Sequence, residues 1–167
     1  NDVGSFMYYF KGKPFLIDAG VGTYTKFTFS SQRYTIWTMQ SDYHNLPKVN
    51  GYSQPNGAEF KSRNASFNPA NMTLNLDIAN AYPAGARIKN WWMRYALASD
   101  GSLSLTEQFE VNNPAAPNEI NFLAAVAADS IAPGILLLKN GEAAVKMVFD
   151  PKVFTFIQQP VDINDMR

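Results

Sequence analysis

The chain has 167 residues, of which 46% are hydrophobic and 14% aromatic, enough apolar material for one domain with a buried core. Its 14 Lys and Arg residues balance 14 Asp and Glu residues, so the overall charge does not indicate binding to a nucleic acid. The absence of cysteine excludes disulfides, thiolate metal sites and a cysteine nucleophile, but it leaves the cellular compartment open.

The apolar runs of the chain are short. Runs such as residues 122–128 and 135–138 have the length of strands, and neither approaches the roughly 20 residues of a membrane-spanning helix. We therefore expect no membrane span. The sequence begins without Met or a signal peptide and reaches an apolar run at residues 6–10 almost at once. We interpret Asn1 as the boundary of a fragment of a larger protein.

Short strand signals recur along the chain. Residues 5–10 and 15–18, with a turn between them, predict a β-hairpin. Residues 25–43 are polar and aromatic with little periodicity, which predicts a long excursion containing one short helix or strand. Further strands are predicted at residues 45–49, 58–64, 72–78, 88–97, 102–111, 119–127, 134–139, 143–149 and 153–157.

Turn-forming residues separate these strands. Asp100-Gly101 and Asn140-Gly141 give the strongest hairpin signals, because such residues tolerate positive φ. Residues 103–106 alternate apolar and polar, as expected of a strand with one buried face. The Ala-rich residues 123–128 could form a helix, but their neighbours favour a strand. Residues 1–167 are therefore predicted to form a single all-β domain, an antiparallel β-sandwich.

Two residues are candidates for chemistry. His44 is the only histidine, and a lone histidine is more often a hydrogen-bonded structural residue than a ligand or a base, so both interpretations stay open. Without a second histidine the chain cannot assemble a His-x-His zinc site from its own residues. Asp18 ends an apolar strand before a Gly-containing turn, where its carboxylate could bind a ligand or accept backbone N–H groups.

Aromatic and basic residues suggest contacts with a sugar. The pair Trp91-Trp92 could stack on pyranose rings, but neighbouring residues of a strand face opposite ways, so one indole is expected in the core. Lys26 and Arg33 add positive charge that could meet an acidic sugar. Lys11 and Lys13 could do the same, although a solvent-exposed hairpin tip explains them equally well.

The N-terminal third carries a series of motifs. They are Asn1-Asp2-Val3-Gly4-Ser5-Phe6, Gly12-Lys13-Pro14-Phe15-Leu16-Ile17-Asp18-Ala19-Gly20, Tyr24, His44-Asn45 and Val49-Asn50-Gly51-Tyr52-Ser53-Gln54. Their order resembles that of the heparinase II/III-like family over roughly residues 1–54. The remaining two thirds agree with the family only in being a run of predicted strands.

Members of that family are lyases with an N-terminal α/α-toroid followed by an antiparallel β-sandwich of the supersandwich type. They cleave polysaccharides that contain uronic acid, such as heparin, heparan sulfate or alginate. The resemblance implies that this chain is the sandwich alone, inactive without the toroid of the parent protein. It implies an acidic polysaccharide, heparan sulfate-like or alginate-like, as substrate, the parent's own toroid as partner, and a periplasmic or secreted location.

The resemblance also implies site residues. Asp18 and His44 align with residues that bind a structural metal, usually zinc, or line the catalytic cleft beside it. An upstream His-x-His pair would precede Asn1 and complete the set, so the zinc or other divalent metal site would be incomplete here. The motif positions that flank the cleft are secondary candidates for substrate binding, although turn and packing roles explain them as well: Asn1, Asp2, Tyr24 and Gln54.

Two alternatives to a lyase were considered. A noncatalytic carbohydrate-binding or structural sandwich requires none of the catalytic residues and stays open. An independent hydrolase would need a pair of carboxylates such as Glu107 and Glu110. These residues are three apart in a predicted strand and should face opposite ways, so a hydrolase is disfavoured.

Overall fold

The protein is described by a computed structural model that covers residues 1–161, and it is an all-β antiparallel β-sandwich, as predicted. Its strands are β1 (Tyr8–Phe10), β2 (Lys13–Leu16), β3 (Pro47–Lys48), β4 (Arg63–Asn68), β5 (Thr73–Asp77), β6 (Ile88–Leu97), β7 (Leu103–Val111), β8 (Glu119–Ile120), β9 (Ala128–Ala132), β10 (Ile135–Asn140) and β11 (Ala143–Val148). Short 3-10 turns lie at Arg33–Thr35, Trp37–Met39, Ser41–Tyr43, Ala79–Ala81 and Ala84–Ala86. Within residues 1–161, no helical segment has the length and hydrophobicity to cross a membrane.

The strands form several antiparallel sheets. The largest sheet has the order β4-β5-β6-β7, and a second has the order β11-β10-β9. The hairpin β1–β2 and the pair β3–β8 complete the architecture. One apolar core covers the inner face of the largest sheet, and a second lies between Phe15 of β2 and the β9–β11 sheet. The β1–β2 hairpin thus connects the N-terminal motifs to the second core.

Strand β6 matches its prediction to the residue and shows the expected alternation. Trp91 is fully buried, whereas Trp92 on the opposite face is 37% exposed, so the two indoles do not form one platform. Trp91 stacks on Phe109 of β7, with ring centroids 4.1 Å apart. The hairpin β1–β2 is also confirmed, with Lys11 and Gly12 at positive φ in its turn.

Two predicted strands are displaced or shortened by long-range hydrogen bonds. Of the strand predicted at residues 119–127, only Glu119–Ile120 pair with another strand. The next strand, β9, covers Ala128–Ala132, where no strand was predicted. Between them, the Ala125 N–H donates to the Phe15 carbonyl, so this stretch is extended but changes partners. The strand predicted at residues 45–49 is reduced to Pro47–Lys48.

Of two further predicted strands, the one at residues 58–64 begins later than predicted and the one at residues 153–157 is not formed. Residues 58–62 are not in a strand, and β4 starts only at Arg63, whose side chain binds the buried Asp77 carboxylate at 2.5 Å. Residues 153–157 form no strand either, because the N–H groups of Val153 and Phe154 both donate to the Asp150 carbonyl in a turn. The apolar composition of this segment therefore does not indicate pairing in a sheet.

The N-terminal segment lies across the inner face of the largest sheet. Gly4 has φ of 92°, and a Cβ atom at this position would lie 3.1 Å from the Met93 sulfur and 3.3 Å from a methyl group of Ile78. The Tyr95 hydroxyl donates to the Gly4 carbonyl at 2.5 Å. Glycine is required here by both the backbone conformation and the close approach.

Glu107 is a largely buried acidic group on the side of β7 that faces Trp91, and unlike the buried Asp77 it has no arginine partner in the described chain. Its Oε2 accepts the Trp91 indole N–H at 2.7 Å, while Oε1 finds no hydrogen-bond partner among residues 1–161. Burial raises the pKa of Glu107 from 4.5 to about 7, against the opposing effect of the Trp91 hydrogen bond. Glu110 is exposed and binds Lys89 at 3.0 Å, so Glu107 and Glu110 form no carboxylate pair.

The charge of Glu107 should make stability depend on pH. Because its pKa is raised on folding, the folded protein keeps a proton that the unfolded chain loses, and the free energy of unfolding falls as pH rises from 4.5 to about 7. Glu107→Gln keeps an acceptor for Trp91 without the charge. It is expected to stabilise the protein by about 2 to 3 kcal/mol at pH 8 and by little at pH 4.

Urea denaturation of both proteins at the two pH values measures this effect. Glu110→Gln, a change at an exposed strand position, is the matched control and should leave the difference between the two pH values unchanged. Equal stability of the Glu107→Gln variant and the original protein at pH 8 would show that Glu107 is not a buried charge.

Candidate functional site

The structure brings Asp18 and His44 together. Asp18 follows the end of β2, and His44 follows the 3-10 turn Ser41–Tyr43. Asp18 Oδ2 lies 3.5 Å from His44 Nε2. The other oxygen of the same carboxylate, Oδ1, accepts the backbone N–H of Gly20 at 2.6 Å. One oxygen of Asp18 thus accepts a backbone N–H in the turn, and the other faces His44 and could bind a ligand.

The hydrogen bonding of His44 defines the state of its ring. Nδ1 lies 2.9 Å from the Gln40 carbonyl oxygen, which can only accept, so Nδ1 carries a proton. A neutral imidazole then has a lone pair on Nε2, directed at the Asp18 carboxylate. In that tautomer Nε2 and the carboxylate oxygen are both acceptors, so a cation or a hydrogen-bond donor placed between them could bind to both.

The two residues differ in their access to solvent. The side chain of His44 is only 8% exposed, whereas that of Asp18 is 37% exposed. A ligand from solvent would therefore approach this pair from the side of Asp18. The His44 ring is fixed by its hydrogen bond to the loop that contains Gln40 and by its burial.

Asn45 fixes the positions of the segments that carry both residues. Its buried side-chain amide donates to the Phe6 carbonyl at 2.6 Å and to the Ile17 carbonyl at 3.0 Å. Its side-chain oxygen accepts the Leu123 N–H at 2.7 Å. Ile17 precedes Asp18 and Asn45 follows His44, so this amide joins the backbones on either side of the candidate site. In the sequence Asn45 stands out only as part of a motif, and nothing there predicts this role.

Two of the secondary candidates hold the N-terminal segment in place. The Gln54 side chain accepts the Val3 N–H at 2.8 Å and donates to the Val3 carbonyl at 2.9 Å. The Asn1 side-chain amide donates to the Met39 carbonyl. These bonds hold backbone segments in place, which agrees with the packing role that the sequence also allowed for Asn1 and Gln54.

Asn1 and Gln54 also line a cavity of about 280 Å³. Its other lining residues are Tyr34, Met39, Gln40, Ser41, Asp42, Ser53, Pro55 and Asn56. The Asp42 carboxylate accepts hydrogen bonds from the Ser53 hydroxyl and from the Lys48 ammonium. The bond to Asp42 raises the pKa of Lys48. This polar cluster was missed because its members are brought together by the turn at residues 50–51.

The remaining two candidates, Asp2 and Tyr24, do not line this cavity. The side chain of Asp2 is 68% exposed, and one of its oxygens lies 3.8 Å from the N-terminal nitrogen. Tyr24 is 66% exposed and stacks on Phe29. The site thus consists of the Asp18–His44 pair, the polar cavity that shares Gln40 with it, and an aromatic loop between Asp18 and His44.

The donor set of the pair is suitable for a divalent metal but small. A carboxylate oxygen and an imidazole nitrogen are both ordinary zinc ligands. Within the described part of the chain, no group of three or more His, Asp or Glu side chains is arranged to hold a metal ion. Asp18 and His44 therefore offer two donor atoms of the kind that bind zinc.

Comparison with known proteins identifies no relative: no family model and no curated protein matches the sequence. Function is therefore inferred from the motifs and from the geometry of the site.

The buried amide of Asn45 leads to a prediction about stability. In Asn45→Asp the group that donates to the Phe6 and Ile17 carbonyls becomes an oxygen, which faces both carbonyls as a buried acceptor. We expect the free energy of unfolding to fall by about 3 kcal/mol or more. Urea denaturation checks this, with Asn71→Asp at an exposed position as the control. A loss no larger than that of the control would contradict the role of Asn45.

Proposed function

We propose that this chain is the β-sandwich part of a lyase that cleaves uronic-acid-containing polysaccharides by β-elimination. The observation that supports this most directly is the approach of Asp18 Oδ2 to His44 Nε2, at 3.5 Å. These residues belong to two separate motifs of the heparinase II/III-like pattern, and the pattern aligns both with a metal-binding or cleft-lining position. Their meeting in space is what the resemblance requires.

The spacing of the pair fits a shared metal ion better than a direct hydrogen bond. An N–H···O bond is usually about 2.7 to 3.2 Å long. Two ligands about 2.0 to 2.1 Å from one zinc ion at the tetrahedral angle are roughly 3.3 to 3.4 Å apart. The observed 3.5 Å is close to that spacing. The fixed proton on Nδ1 leaves Nε2 as the ligand atom, which is the arrangement typical of metal-bound histidine.

A divalent ion at this position would supply positive charge that binds His44 and Asp18 to each other. This chain's own residues then have a positioning role. Gln40 holds the ring of His44, and the bonds of Asn45 hold the two backbones around it. Gln54 and Asn1 hold the N-terminal segment beside the polar cavity. By resemblance, a further histidine ligand would precede Asn1.

The proposed reaction needs three groups. A base removes the proton at C5 of the uronate, positive charge or hydrogen-bond donors stabilise the enolate that forms on its carboxylate, and an acid protonates the departing glycosidic oxygen. The resemblance assigns the upstream histidine and residues of the toroid, a Tyr and an Asn or His, to this chemistry. The chain alone would therefore bind and position a substrate but not cleave it, and the parent protein would act outside the cytoplasm.

An absorbance assay for unsaturated uronate products tests the proposed activity. A longer polypeptide that includes the upstream toroid should release these products from heparan sulfate or alginate, whereas residues 1–167 alone should not. His44→Ala in the longer polypeptide should lower the rate by about 10- to 100-fold. Asp129→Asn, at an exposed position of β9, is the control and should have no effect. No product from either polypeptide with a broad panel of uronates would instead favour a noncatalytic carbohydrate-binding module.

Metal binding can be tested without activity. Zn²⁺ at about ten times its dissociation constant should stabilise the folded chain by about 1.4 kcal/mol, raising Tm by roughly 3 to 6 °C for a domain of this size. Asp18→Asn should abolish this shift, and Asp129→Asn should retain it. A zinc-dependent increase in Tm that is the same in both variants would place the ion elsewhere.

A further inference from the structure

The loop between Asp18 and His44 exposes an unusual aromatic pair. Phe29 is 80% exposed and Tyr24 is 66% exposed, and their rings stack with centroids 5.5 Å apart and an angle of 14° between the planes. Stacking on Tyr24 covers one face of Phe29, so most of the exposed area lies on the other face and the edge. Phe27 and Tyr34, each 40% exposed, extend the apolar surface on the same loop. Such a concentration of exposed aromatic rings is typical of a binding surface.

The backbone of this loop is held in a defined conformation. Thr28, which is 1% exposed, accepts the Thr25 N–H with its hydroxyl at 2.9 Å, and its own N–H donates to the Thr25 carbonyl at 3.1 Å. The Ser30 hydroxyl and N–H both donate to the Phe27 carbonyl at 3.0 Å. The aromatic side chains therefore project from an ordered loop, and ordering them for a ligand would cost little conformational entropy.

Most of the loop carries only positive charge. Residues 21–41 contain Lys26 and Arg33 but no aspartate or glutamate, and the acidic residue that follows them in the loop, Asp42, is paired with Lys48. The Lys26 ammonium lies over the Phe27 ring, 5.2 Å from its centroid. Neither Lys26 nor Arg33 takes part in an ion pair within the described residues. The surface thus combines flat apolar faces with cations that have no anionic partner.

The position of the loop connects it to the candidate site. It begins after Asp18 and leads through the 3-10 turns to His44, and these two side chains meet at its base. The Thr38 hydroxyl donates to the Val21 carbonyl at 3.5 Å, which joins the two ends of the loop next to that base. A polymer that occupied the site would have the aromatic loop beside it.

We propose that this loop is a subsite for an acidic oligosaccharide, with one pyranose ring packed on the free face of Phe29 and anionic groups of the sugar bound by Lys26 and Arg33. The apolar C–H face of a pyranose suits an aromatic ring, and a guanidinium can bind a carboxylate through two hydrogen bonds. The excess of cations favours an acidic sugar over a neutral one. The identity of the polymer rests on the proposed function, but binding at this loop requires no catalysis.

Calorimetric titration of residues 1–167 with oligosaccharides of alginate and of heparan sulfate tests the proposal, with cello-oligosaccharides of equal length as neutral probes. We expect the acidic probes to bind more tightly, and binding to weaken as salt increases. Phe29→Ala should lower the affinity by roughly tenfold or more, which corresponds to about 1.4 kcal/mol. Lys26→Gln combined with Arg33→Gln should remove the preference for acidic probes.

Matched variants separate binding from folding. Phe67→Ala removes an aromatic ring that is 58% exposed on β4 and should leave binding unchanged. Thermal denaturation should show that Phe29→Ala leaves Tm unaltered, since the side chain it removes is largely in solvent. Equal loss of affinity in Phe29→Ala and Phe67→Ala, or no binding of either acidic probe at low salt, would overturn the proposal.

The sugar-binding experiment and the lyase assay can fail independently of each other. Binding that depends on Phe29 together with no lyase activity in the longer polypeptide would keep the subsite and remove the proposed reaction. Lyase activity that Phe29→Ala leaves unchanged in kcat and KM would keep the reaction and remove the subsite. Self-association of residues 1–167 that Phe29→Ala abolishes, without sugar binding, would assign the aromatic loop to a protein interface and overturn the proposal.

Discussion

The buried side-chain amide of Asn45 is the interaction on which the candidate site depends. It forms hydrogen bonds with three stretches of chain that are far apart in sequence: the N-terminal segment, the end of the first hairpin and residue 123. These bonds are made in a region closed to water, where an unpaired amide or carbonyl would be costly. Asn45 therefore couples the position of the hairpin end to that of the His44 loop.

The Asp18–His44 pair follows from this coupling. The Ile17 carbonyl that accepts from Asn45 is next to Asp18, and Asn45 itself is next to His44. The Gln40 carbonyl then fixes the proton on Nδ1, which directs the lone pair of a neutral ring at the carboxylate. The fold thus holds an imidazole nitrogen and a carboxylate oxygen close together, which is what the proposed metal site would need.

The surroundings of the pair suggest how a polymer would be held. On one side lies a polar cavity lined by amide, hydroxyl and carboxylate groups, and from the pair itself extends a loop with exposed rings and cations. Polar groups that bind hydroxyls and rings that stack on pyranoses are complementary elements of sugar recognition. Both elements lie on segments that precede β4.

Much of the fold was predictable because it depends on local patterns. The ten-residue strand Ile88–Leu97 alternates buried and exposed side chains over enough length to define its bounds. The strand predicted at residues 119–127 failed because its partners are decided by distant backbone groups. The strand predicted at residues 153–157 failed for a local reason, since the N–H groups of Val153 and Phe154 turn back to the Asp150 carbonyl. Periodicity cannot show that the Ala125 N–H will find the Phe15 carbonyl.

The candidate site was predictable only through the motifs. A lone histidine and a carboxylate before a glycine turn each had a plain structural explanation, and only the resemblance joined Asp18 to His44. The stabilising role of Asn45 had no signal in the sequence, because an asparagine is common in turns. The buried carboxylate of Glu107 was missed for a related reason: its alternating strand predicted the face it occupies, but not the indole N–H that it would meet there.

The most direct test of this account is the tautomer of His44, which a two-dimensional ¹H–¹⁵N spectrum of the imidazole nitrogens reports without ambiguity, because the chain has only 1 histidine. The account predicts a proton on Nδ1 with and without Zn²⁺, and a change in the Nε2 chemical shift on zinc addition that Asp18→Asn suppresses. A neutral ring with its proton on Nε2, and no change of Nε2 with zinc, would contradict it.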